Sequence, residues 1–199
     1  MHYDLIIAGV GGQGILSIAT VIGRAAVHQG LHLKQSEVHG MAQRGGAVSS
    51  HFRLSDGTIF SDLIPLASSD LILSMEPMEA LRYRPWLKPE GWLVTNSVPI
   101  PSIADYPDPV RLQAALAEMP HRIVVDAVGL ARAEKSPRSV NMAVLGAASP
   151  CMPFPEAVWE EAIREQFSRK GAEVVEANIR VFQAGRNEAL RSADTPKKT

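Results

Sequence analysis

Leu5-Ile6-Ile7-Ala8-Gly9-Val10-Gly11-Gly12-Gln13-Gly14 is the stretch whose reading decides the fold. The apolar run from Tyr3 to Ala8, rich in isoleucine and closed by glycine, predicts a strand buried on both faces, as parallel sheets require. Behind the glycines, Ile15, Ile18, Ala19, Ile22, Ala25 and Ala26 recur at helical spacing up to Gly30, a natural helix stop. Gly9, Gly11 and Gly14 satisfy a G-x-G-x-x-G spacing, which allows a tight turn, close backbone approach to a ligand and close packing of helix on strand. Amides at the helix start would point at an anion. The same glycines equally suit packing alone. Leu31 to Gln35 can form the next strand, completing a β-α-β start of about thirty residues.

Outward from there the simple alternation breaks. Ser36-Glu37-Val38-His39-Gly40-Met41-Ala42-Gln43-Arg44-Gly45-Gly46 has neither strand nor helix period and reads as a long loop of the kind that in compact domains usually carries function. Ala47 to Leu54 has β character, and Asp56-Gly57 before Thr58-Ile59-Phe60 predicts a hairpin with a short returning strand. Asp70 to Ser74 reads as a buried strand, with a helix starting near Glu76-Pro77. Lys88-Pro89-Glu90-Gly91 predicts a turn into the strand Trp92 to Thr95. The proline-rich connection Val98 to Pro109 precedes a helix over Val110 to Met119. Ile123 to Val125 is the last clear parallel strand, with Asp126 at its carboxyl end, where open α/β sheets place their crevice. Helices then dominate, over Ala127 to Glu134, Ser139 to Ala148, Glu156 to Arg169 and Ala172 to Ala189. The expected class is α/β, a Rossmann-like, mostly parallel sheet with an antiparallel hairpin edge and C-terminal helices. Residues 1–190 are expected to form a single domain, followed by a polar flexible tail over 191–199.

Composition narrows the function. A length of 199 residues with 46% hydrophobic content supports a full core, and a formal charge of −1 argues against a nucleic-acid partner. No signal-like leader and no apolar run of membrane-spanning length stand in the sequence, so a cytoplasmic location with no membrane partner is the expectation. Cys151 is the one cysteine, so this chain alone can form neither an internal disulfide nor a four-thiolate iron-sulfur cluster. The histidines have no paired metal ligand at helical spacing. Ser17 lies inside the first helix without a nucleophile elbow. Cys151 sits between prolines without an activating neighbour, which marks it as structural.

The candidate binding residues fall in three places. Gly9, Gly11, Gly12, Gln13 and Gly14 form the glycine loop; Glu37, His39, Arg44 and Gly45 bring a carboxylate, a base and a cation into the long loop; Asn141 heads a late helix. A dinucleotide reading needs an acidic group after the second strand to hold a ribose hydroxyl, and Glu37 is available. The long loop suits an anionic substrate or another subunit's active site. Asn141 can either cap local backbone or aim an amide into a ligand crevice. No catalytic residue is singled out.

Taken together, Gly9 to Gly14, Ser36 to Gly46 and Asn141-Met142-Ala143-Val144-Leu145-Gly146 resemble the gamma-type domain of 2-oxoacid:ferredoxin oxidoreductases. The eleven-residue run from Ser36 is the more specific part and looks most like the beta subunit of indolepyruvate ferredoxin oxidoreductase. The resemblance implies participation in oxidative decarboxylation of an aryl 2-oxoacid to its acyl-coenzyme A, with reduction of ferredoxin. It also implies a large partner subunit carrying thiamine diphosphate, magnesium and the iron-sulfur clusters, with coenzyme A as co-substrate and no cofactor held by this chain alone. On that reading the glycine loop and the 37–46 loop shape a subunit interface and a phosphate or coenzyme A contact, and exposed partner surface lets the isolated chain form a homodimer. The alternative expectation is an autonomous NAD(P)-binding dehydrogenase or sensor.

Overall fold

The computed structural model describes residues 1–40, 46–101 and 105–192. The strands are β1 (His2–Val10), β2 (His32–His39), β3 (Ala47–Ser55), β4 (Ser69–Ser74), β5 (Leu87–Asn96) and β6 (Arg122–Val125). The helices are α1 (Ile15–His28), α2 (Pro77–Arg82), α3 (Pro109–Ala117), α4 (Ala127–Ala133), α5 (Val140–Ala148), α6 (Glu156–Phe167) and α7 (Ala172–Arg191). One six-stranded sheet has the order β2-β3-β1-β4-β5-β6. Strands β1, β4, β5 and β6 pair in parallel, and β3 runs antiparallel to both β1 and β2.

The β1 apolar run is continuous because both faces of the strand are covered. Leu5 and Ile7 point into the larger core with α1 and the C-terminal helices, whereas Ile6 and Ala8 point into a smaller core with Ile64, Ala80, Leu93 and Leu116. Helix α5 is apolar all round, so it is enclosed: Met142 to Ala148 are buried, and α7 lies directly against it. Glycines set that approach. A Cβ on Gly146 would stand 1.9 Å from the Phe182 carbonyl oxygen, and one on Gly185 would stand 2.0 Å from that of Ala143. Trp159 on α6 fills the remaining space, with the rings of Phe154 and Phe182 at 5.2 and 5.9 Å.

Several boundaries differ from expectation. The second strand continues to His39, so Ser36, Glu37, Val38 and His39 belong to an edge strand and not to a loop. Its residues are mostly exposed, and a solvated edge needs no apolar alternation to be stable once β3 supplies the ladder. The expected return over Thr58–Phe60 is absent; the hairpin is β2 with β3, in a register that matches Glu37 to Ser50. Strand β3 therefore separates β1 from β2, and the two halves of the expected β-α-β unit are parallel without being neighbours. Lys88-Pro89-Glu90-Gly91 lies within β5, where the pairing with β4 shifts between Ser69 and Leu71; that irregularity accommodates turn-type residues in a strand. At the C-terminus Arg191 closes α7, and residues 193–199 of the expected tail lie outside the described residues. Arg44 and Gly45 of the candidate site lie outside them as well.

At the amino end of the sheet, Asp4 and Arg53 face each other across β1 and β3, with both carboxylate oxygens 2.9 Å from the guanidinium. Arg53 also donates to the carbonyls of Ser61 and Leu63. This bidentate pair, buried at Asp4, ties the segment after β3 to the sheet on the side away from the glycine loop.

Candidate functional site

The glycine loop closes β1 at the carboxyl edge of the sheet, between β3 and β4. Gly12 and Gly14 have φ of 97° and 79°, left-handed angles that favour glycine, and Gly14 is the N-cap of α1. The Gly11 N–H donates to the Gly46 carbonyl at 2.9 Å and that of Gln13 to Val10 at 3.2 Å. Among the described residues, the amides of Gly12, Gly14, Ile15 and Leu16 have no acceptor. They form the donor set expected of an anion-binding helix start.

Two side-chain amides fix this geometry. The Gln13 carbonyl oxygen accepts the Val10 N–H at 2.6 Å, while its amide donates to the Met75 carbonyl at 3.2 Å, so Gln13 bridges the ends of β1 and β4. Gly9 is required beneath it, since a Cβ there would lie 2.7 Å from the Gln13 Oε1. From α5, Asn141 donates to the Gly14 carbonyl at 3.2 Å. Asn141 therefore neither caps α5, whose N-cap is Ser139, nor stands apart from the loop; it anchors it.

The second cluster is placed differently. Glu37 and His39 sit two positions apart on β2, with Glu37 Oε1 against His39 Nε2. Through Ser50, Glu37 is level with Ile7. It lies two strands, roughly 9–10 Å, to the side of β1. His39 is level with Gly9 and does reach the glycine loop, sharing with Gly11, Gly12 and Ser17 a cavity of about 730 Å³. The dinucleotide alternative is not supported by this arrangement. Its acidic group should end the strand next to β1, a place that β3 occupies, and Gln13 spans the switch point between β1 and β4.

A second cavity of about 600 Å³ lies on the other side of the loop, again reached by Gly12, Gly14 and Ser17. Lys135, Arg138 and Lys170 line it together with Asn141 and Glu173. Sequence reading missed these cations because they come from the end of α4, the α4–α5 turn and the turn before α7. Only the helix order brings them to one rim. Cys151 is partly buried, and burial pushes its thiol up to about 12, which suits a structural role. Among the described residues no group of His, Cys, Asp and Glu side chains could hold a metal ion.

Residues 4–188 match the pyruvate ferredoxin/flavodoxin oxidoreductase family, and the chain belongs to it. Within that family it is similar to the indolepyruvate oxidoreductase subunit IorB of Archaeoglobus fulgidus, with 35% identity over 96% of both chains. It is likewise similar to the IorB subunit of Methanothermobacter thermautotrophicus, with 33% identity over 96% of this chain and 100% of the relative. The gamma subunit of the keto/oxoacid ferredoxin oxidoreductase from Geobacter sulfurreducens has the same fold, with a TM-score of 0.72 at 24% identity over 96% of this chain and 99% of that one. The 2-oxoglutarate:ferredoxin oxidoreductase of Magnetococcus marinus, solved with 2-oxoglutarate, coenzyme A and succinyl-CoA, superposes with a TM-score of 0.75 at 23% identity over 98% of this chain and 32% of that one. The fold thus exists both as a separate subunit and as a part of a longer chain.

Proposed function

We propose that this chain is the small, non-thiamine-binding subunit of an indolepyruvate-type ferredoxin oxidoreductase. The observation that carries the reading is the similarity to IorB subunits over nearly the whole length of both partners. In the assembled enzyme an aryl 2-oxoacid is decarboxylated and its acyl group passed to coenzyme A, while the electrons leave to ferredoxin. Thiamine diphosphate, magnesium and the iron-sulfur clusters belong to the large partner, consistent with a single cysteine in this chain. A cytoplasmic location fits such a complex, and among the described residues no helix is long and apolar enough to cross a membrane.

In this reading the chain's own contribution is to bind and orient coenzyme A. The amides of Gly12, Gly14, Ile15 and Leu16, without an acceptor among the described residues, receive phosphate oxygens. Gln13 and Asn141 keep those amides in place, and His39 borders the cavity beside the loop. The test is purification with the large subunit, followed by assay of 2-oxoacid-dependent and coenzyme A-dependent acceptor reduction. Full activity of the large subunit without this chain would refute the proposal.

A further inference from the structure

The glycine loop is a saddle between two cavities of unlike chemistry. On the His39 side, Val10, Ile15, Leu16 and Val48 make the wall largely apolar. On the other side, Lys135, Arg138 and Lys170 face one carboxylate, Glu173, and the hydroxyls of Ser136 and Ser139 lie beside them. None of the three cations has an ion-pair partner among the described residues. A surface with unpaired like charges gathered at a cavity is set to attract an anion.

Lys135 adds an independent indication. It follows the C-cap of α4, with φ of 55°, and the Ser136 N–H returns to the Ala131 carbonyl at 2.9 Å. This is the left-handed position after a helix that glycine occupies at least cost. A lysine there costs on the order of 1 kcal/mol. The backbone does not require the side chain; the cavity it lines gives it a use.

We infer that Lys135, Arg138 and Lys170 form a subsite for a phosphate monoester, distinct from the diphosphate held by the glycine loop. The ligand then straddles the saddle, its phosphorylated nucleoside end among these cations and its uncharged arm leaving past His39. The inference rests on the coenzyme A reading and sharpens it, because it makes these residues determinants of specificity for coenzyme A over dephospho-coenzyme A, which lacks the monoester.

The test uses the complex assembled with its large partner and measures kcat and KM with each thiol. Lys135→Gln with Arg138→Gln should raise KM for coenzyme A about tenfold or more, the scale of lost hydrogen bonds to charged groups. It should leave KM for dephospho-coenzyme A and both kcat values unchanged. Lys135→Gly should raise the thermal midpoint of the complex while lowering the preference for coenzyme A, a pair of opposite effects that a merely structural lysine would not give. Ser17→Glu separates the inference from the reading beneath it, because Ser17 borders both cavities and a carboxylate there should raise KM for both thiols. If Ser17→Glu does so and the cation variants do not change the ratio, the monoester subsite is refuted. If neither set moves either KM, the coenzyme A reading falls with it.

Discussion

Replacing Gly146 by alanine tests the packing that holds both walls of the site. The added Cβ would stand 1.9 Å from the Phe182 oxygen and 3.0 Å from the Arg186 nitrogen, where ordinary contact begins at 3.4 Å. Helix α5 would have to move off α7 by about 1.5 Å to relieve a clash with backbone that cannot rotate away. Overpacking on this scale costs about 3 kcal/mol. Alanine returns about 1 kcal/mol of helix propensity relative to glycine. The net loss of about 2 kcal/mol should lower Tm by roughly 4–8 °C for a chain of this size, read by circular dichroism on the purified subunit. Gly57→Ala is the control, since its Cβ would meet nothing closer than the Ser55 hydroxyl at 3.8 Å, and should move Tm by no more than about 2 °C. A Gly146→Ala protein as stable as the wild type would show that α5 and α7 do not pack backbone to backbone, and that Asn141 is not held against Gly14 in the way described.

Other outcomes follow from ionisation. Because burial holds the Cys151 thiol up near 12, iodoacetamide at neutral pH should label it at a small fraction of the rate in denaturant; equal rates would place it at the surface. Burial lowers the His51 pKa, with Arg53 adding and Asp62 and Asp4 opposing, and the neutral Nδ1 accepts the Ile64 N–H at 3.0 Å. The unfolded chain therefore takes up this proton first, so the stabilising contribution is present above about pH 6.5 and is lost as pH falls below it. Urea midpoints between pH 7.5 and 5.5 should show a decline that His51→Gln reduces, and an unchanged slope in the variant would assign it to other groups.

Periodicity alone located β1, α1 and the late helices, because each buries a face or stripe that local spacing reveals. The placement of β3 was not legible: Ala47 to Ser55 pairs with residues some 45 positions earlier on one side and with β2 on the other, and no local pattern encodes which neighbours a strand will take. Ser36 to His39 lacked a strand signal because the edge exposes them, and Lys88 to Gly91 carried a false turn signal because β5 tolerates an irregular start. In the site, the glycine loop was readable, whereas the roles of Gln13 and Asn141 depend on contacts across 62 and 127 positions. The cationic rim was invisible for the same reason.

The position of β1 also bears on how the chain is made. Strand β1 is synthesised before both of the strands that flank it in the middle of the sheet, and these partners, β3 and β4, extend to Ser74. At ~5–20 residues per second, the Leu5 to Ala8 run waits on the order of 3–13 s before both ladders can form around it. During that interval an uncharged, isoleucine-rich segment is unprotected, and translation speed between β1 and Ser74, more than the stability of the finished fold, should set the yield of soluble subunit.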